Sequence, residues 1–165
     1  MSKELSEKNL KSLDKRRLID TISAQRIGWI NNTRDKFVEF NKLCHTSAMI
    51  MSSLLVGVKP DGYDFGKPYQ DIQGAKNHIE LLLNPREFFS NQLIVYSNKI
   101  IDSLNTRNFK ITEYNHNRKI VAFIQQVILK TEWQRIKEET ERGEQLTKEE
   151  MERIFVINSY TKYRN

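Results

Sequence analysis

Proline and glycine are scarce, three and six in 165 residues. An all-β chain needs many turns, and turns draw heavily on these two residues, so that class is excluded. Long uninterrupted helices are what remains. Only one cysteine, Cys44, occurs. It excludes an intrachain disulfide and a multi-thiolate zinc site built from one chain, and it fits a reducing, cytoplasmic setting. No apolar run reaches the 20 or so residues that a bilayer span takes. The most apolar stretch, residues 48–58, contains Ser52, Ser53 and Gly57 and reads as buried helix. Residues 1–15 are polar and charged, unlike a secretory signal.

What is present suits a soluble helical domain. Hydrophobic residues make up 38% of the chain and charged ones 29%, too apolar for disorder and charged enough for wide solvated faces. The formal net charge is +6. Residues 1–42 hold 10 basic and 6 acidic side chains, so most of the excess lies there, around Lys15, Arg16 and Arg17. Such a cluster is either a solvated helix face or a contact for phosphate or an acidic partner.

The periodicity predicts an all-α antiparallel helical bundle with two long and two or three shorter helices, in a single domain over residues 1–165. The first long helix runs from about residue 10 to the mid-fifties, with residues 1–9 frayed. Ile19, Arg26, Thr33 and Phe40 recur every seven residues, and Ile30, Phe37 and Cys44 form a companion row. Gly28 lies within this helix and marks close helix contact or simple tolerance. Pro60, Gly62, Gly66 and Pro68 place a loop at residues 59–73. Tyr63, Phe65 and Tyr69 make that loop aromatic, and with Lys15, Arg16 and Arg17 they are the candidate partner-binding residues. A short helix follows at about 74–83. Asn84-Pro85-Arg86-Glu87 has the grammar of a helix start, with Asn84 as N-cap. From there Phe89, Leu93, Tyr96, Ile100 and Leu104 describe one face. A second long helix covers about 112–142, buried through Tyr114, Val121, Ile124, Ile128 and Ile136 with Val127 and Trp133 beside them. Gly143 ends it. Thr147 and Glu150 form a capping box for a last helix at about 148–159, and residues 160–165 fray.

No catalytic, metal or cofactor signature is found, and no cofactor is expected. His45, His78 and His116 are never three or four residues from one another. Glu113 and His116 make one Glu-x-x-His pair, but a di-iron bundle needs two. Cys44 and His45 point about 100° apart on a helix, a poor nucleophile–base geometry. Gly66-Lys67-Pro68 lacks the rest of a phosphate loop. The run Glu138, Glu139, Glu141, Glu144 reads as a solvated helix end.

Three stretches carry a resemblance: Arg26-Ile27-Gly28-Trp29-Ile30 running on to Arg34, Ile79-Glu80-Leu81-Leu82-Leu83-Asn84-Pro85, and Leu129-Lys130-Thr131-Glu132-Trp133-Gln134-Arg135-Ile136-Lys137-Glu138. In order and spacing they resemble a loose group of uncharacterised small helical proteins of Gram-positive bacteria and prophages. The resemblance covers roughly residues 16–140. Many members carry a membrane-spanning helix, which this chain lacks. The expectation is a non-enzymatic protein–protein interaction or regulatory factor of prophage or mobile-element origin. The alternative is a nucleic-acid-binding regulator using the basic N-terminal helix. A first helix of about 45 residues is near 65 Å long, more than one compact domain covers. It is therefore either broken near residues 45–50 or partly buried in a homo-oligomer, with residues 47–58 in the interface.

Overall fold

The computed structural model describes residues 3–58, 62, 66–105 and 108–160, apart from the side chains of residues 3–5. Five helices are found in them: α1 (Lys3–Leu55), α2 (Gly66–Leu82), α3 (Phe88–Leu104), α4 (Ile111–Arg142) and α5 (Lys148–Tyr160). There is no strand among the described residues. The chain is all-α, with two long helices and three shorter ones.

Packing divides into two compact units. One comprises Met1–Asn31 and Val127–Asn165, the other Asn32–Gln126. A single domain was expected because no linker sequence is visible. None is needed, since the division falls inside α1 and α4, which contribute to both units.

In the first unit α1 and α4 run antiparallel. Ser23 shares a 3.3 Å hydrogen bond with Thr140, and Arg26 reaches Glu139. Ile19, Ile30, Val127, Ile128, Ile136, Leu146 and Ile154 are buried here. Asn158 ties α5 to α4, donating to Thr131 Oγ1 at 3.2 Å and Gln134 Oε1 at 3.3 Å. In the second unit α2 and α3 pack on one another. Phe37, Phe40 and Cys44 of α1 are buried, as are Leu93 and Ile100 of α3 and Tyr114, Val121 and Ile124 of α4. Asn41 and Gln125 exchange two amide hydrogen bonds, at 2.8 and 3.2 Å.

Helix ends show where local grammar decides. α1 closes in a Schellman motif. Gly57, at φ +82, donates to Leu54 O at 3.0 Å, and Val58 donates to Ser53 O at 3.0 Å. Only a residue free to adopt left-handed backbone does this without strain. Gly143, at φ +70, ends α4 by donating to Glu139 O at 2.8 Å. The capping box of α5 is complete: Glu150 N donates to Thr147 Oγ1 at 3.2 Å, and Thr147 N to Glu150 Oε2 at 2.8 Å.

Several expectations are corrected. Residues 3–9 are helical rather than frayed, and of the two alternatives for the first helix the break near residues 45–50 is not found. The aromatic loop ends sooner than residue 73, because α2 begins at Gly66. Pro68 sits in the first helical turn, where a missing N–H breaks no intrahelical bond. Asn84 is not an N-cap. Its Oδ1 accepts from Arg86 N at 3.1 Å and its carbonyl from Glu87 N at 3.1 Å, and α3 starts after Glu87. An Asx turn uses the same side-chain acceptor as a cap, so the two share a sequence signature. Trp133 is 39% exposed rather than part of the buried face. A Cβ at Gly28 would meet nothing within 4 Å, so no close contact within the chain accounts for that glycine.

Phe40 is fully buried. Truncation to Ala is expected to cost about 3–5 kcal/mol, read as a shift in the urea unfolding midpoint. An unchanged midpoint would contradict the core described for α1.

Candidate functional site

The residues singled out in sequence do not converge. Lys15, Arg16 and Arg17 are all exposed on α1, but successive helical residues turn by about 100°, so they fan out instead of forming one patch. Arg16 lines a shallow groove of about 210 Å³ with Asp20, Glu141 and Arg142. That groove has both charge signs, which suits no simple anion. Tyr63 and Phe65 lie outside the described residues. Tyr69 belongs to α2, 39% exposed, and its hydroxyl accepts from Gln73 Nε2 at 3.1 Å.

The densest polar chemistry among the described residues centres on Glu139, which the sequence assigned to a solvated helix end. Its side chain is fully buried. One carboxylate oxygen binds the Arg26 guanidinium. The other accepts from Arg135 Nε at 3.1 Å and from the backbone N–H of Leu146 at 3.0 Å. Arg135 also lies 3.6 Å from Glu132. Burial holds the Arg26 pKa below its ordinary value, helped by the charge of Arg135 and opposed by Glu132. A carboxylate with both oxygens engaged by fixed donors is a poor general base. It serves here as a clasp joining α1, α4 and the turn into α5. Next to it, Arg142 bonds Glu138 at 3.2 Å and Glu150 at 2.5 Å. The sequence offered Glu139 no mark distinguishing it from Glu138 or Glu141. Only its position toward Arg26, 113 residues away, does so.

Other reactive groups are isolated. His45, His78 and His116 are exposed. No three His, Cys, Asp or Glu residues among the described ones are grouped to hold a metal ion. Cys44 is buried, and burial pushes its thiol up to about 12. Tyr114 is likewise pushed to about 12, mostly by burial and then by Cys44, with Arg118 opposing. No helix of the described residues is long and apolar enough to cross a membrane.

Two outcomes follow. Glu139→Ala strands two guanidiniums and an N–H, and is expected to lower stability by about 3 kcal/mol, with Glu139→Gln falling between it and the parent in chemical denaturation. Cys44 is expected to resist a thiol reagent at pH 8 in the native protein and to react fully in denaturant, because only the thiolate reacts. Rapid native labelling would contradict the buried placement. Comparison with protein-family models, with curated proteins and with solved structures finds no match, so the functional reading rests on the chain's own residues.

Proposed function

We propose that this chain is a non-enzymatic interaction factor that docks a protein partner on the C-terminal end of α1. A prophage or mobile-element origin, and a cytoplasmic setting, belong to the same reading. The supporting observation is that the buried stripe of α1 outruns its cover. Phe37, Cys44, Met51 and Val58 recur every seven residues, as do Phe40, Ser47 and Leu54. Phe37, Phe40, Cys44 and Ser47 are buried, Met51 and Leu54 half-buried. Leu55, on that stripe, is 59% exposed, and Met49 on a neighbouring face and Val56 and Val58 past the helix end are exposed as well. Exposed apolar surface grouped in this way marks interaction sites. Ser47 and Ala48 are themselves buried, so the surface starts at Met49.

The test is affinity capture from the producing cells, with the parent chain and a Leu55→Glu/Val56→Glu variant side by side. One protein retained in stoichiometric amount by the parent and lost from the variant is the expected result. Equal recovery on both, or turnover of a substrate by the purified chain, would overturn the reading.

A second reading, nucleic-acid binding by the N-terminal part of α1, is favoured by one observation. Lys8, Lys11 and Lys15 share a helix face and are exposed. It requires a gel shift at low salt that weakens steeply as salt rises.

A further inference from the structure

Beside its buried stripe α1 carries a second regular row, whose Asp20 also lines the groove with Glu141 and Arg142 of α4. Leu10, Leu13, Arg17, Asp20, Ala24 and Ile27 follow at alternating steps of three and four residues. That period keeps side chains on the seam between two helices. All six residues are exposed, with Leu10 at 57% and Leu13 at 53%. Meanwhile the core rows, traced toward the N-terminus, become Ser12, Asn9 and Arg16, and burial begins only at Ile19. Residues 6–18 thus form more than three helical turns without one buried side chain.

We propose that this row is the contact between two copies of the chain, with their α1 helices antiparallel. Leu10 then lies opposite Ile27 of the second copy, Leu13 opposite Ala24, and Arg17 opposite Asp20. Two-fold symmetry doubles each pair, so two Arg17–Asp20 ion pairs flank the axis, with apolar layers outside them. Charge selects this direction. Parallel helices in register would set Arg17 against Arg17 and Asp20 against Asp20, like charges facing each other on the seam. The antiparallel arrangement also accounts for the bare helix. Residues 6–18 of one copy are laid along residues 19–31 of the other, the part of α1 that its own α4 braces through Arg26–Glu139 and Ser23–Thr140. A nucleic acid would meet Asp20 on this face and leave the leucines in water. A lipid surface would have to accept both Arg17 and Asp20.

The seam is about 26 Å long at 1.5 Å per residue, small for a protein interface, so a dimer that dissociates on dilution is expected. It uses residues distinct from the Met49–Val58 surface, and the two proposals fail independently.

Sedimentation or light scattering of the full chain over a concentration series tests the inference. The mass of two chains is expected at high concentration. Leu13→Glu should leave one chain with unchanged helical circular dichroism. Arg17→Asp and Asp20→Arg should each weaken association about tenfold or more, two pairs being lost at once. The double variant R17D/D20R should restore it, since the pairs re-form with signs exchanged. A one-chain mass at every concentration overturns the proposal. So does a dimer indifferent to Leu13→Glu, a double variant that fails to recover, or self-association abolished only by Leu55→Glu/Val56→Glu.

Discussion

A carboxylate removed from water must find donors inside the protein or cease to be charged. Glu139 finds them on three segments: Arg26 of α1, Arg135 one turn back on α4, and the N–H of Leu146 in the turn before α5. The position of each segment in the first unit is thereby tied to the other two. A buried ion pair contributes little net stability, because desolvation offsets most of the attraction. It is nevertheless demanding about arrangement, since any displacement leaves charge unpaired. The clasp therefore acts on geometry. It sets α1 beside α4, and it starts α5 close to the capping box of Thr147 and Glu150.

The second unit shows the other way to hold helices. It buries Phe37, Phe40, Leu93, Ile100 and Ile124 beside uncharged polar side chains, among them Thr33, Ser90, Ser97, Asn117 and Gln125, and none of its described charged side chains is buried. The Asn41–Gln125 amide pair supplies polar matching without formal charge. Apolar packing is non-directional and roughly proportional to area, so the polar groups, not the apolar ones, carry the directional constraint in this unit.

α1 joins these themes to function. Its inner stripe is polar at the N-terminal end, buried in the middle and apolar but uncovered at the C-terminal end. Its outer side carries the row from Leu10 to Ile27. A long helix whose faces change character along its length presents distinct surfaces, and it is on these that the proposed contacts rest. The absence of convergence among Lys15, Arg16 and Arg17 belongs to the same pattern. They are neighbours in sequence, but the helix distributes them to the lysine face, the mixed-charge groove and the outer row.

Features that depend on neighbouring residues were legible in the sequence alone. Helical class, the buried stripe through Phe37, Phe40 and Cys44, the buried face of α4 and the ends at Gly143 and Thr147 were all legible, because periodicity and capping act within a few residues. Where two local motifs share one signature, as at Asn84, local reading chose the wrong one. Pro68 misled in the same way, since proline serves a loop and a first helical turn equally well. Which glutamate of a run is buried, the exposure of Trp133, and the division of the packing into two units inside continuous helices emerge only from the folded chain. The burial of Glu139 depends on Arg26, 113 residues away, and no short-range pattern records which distant group a side chain will meet.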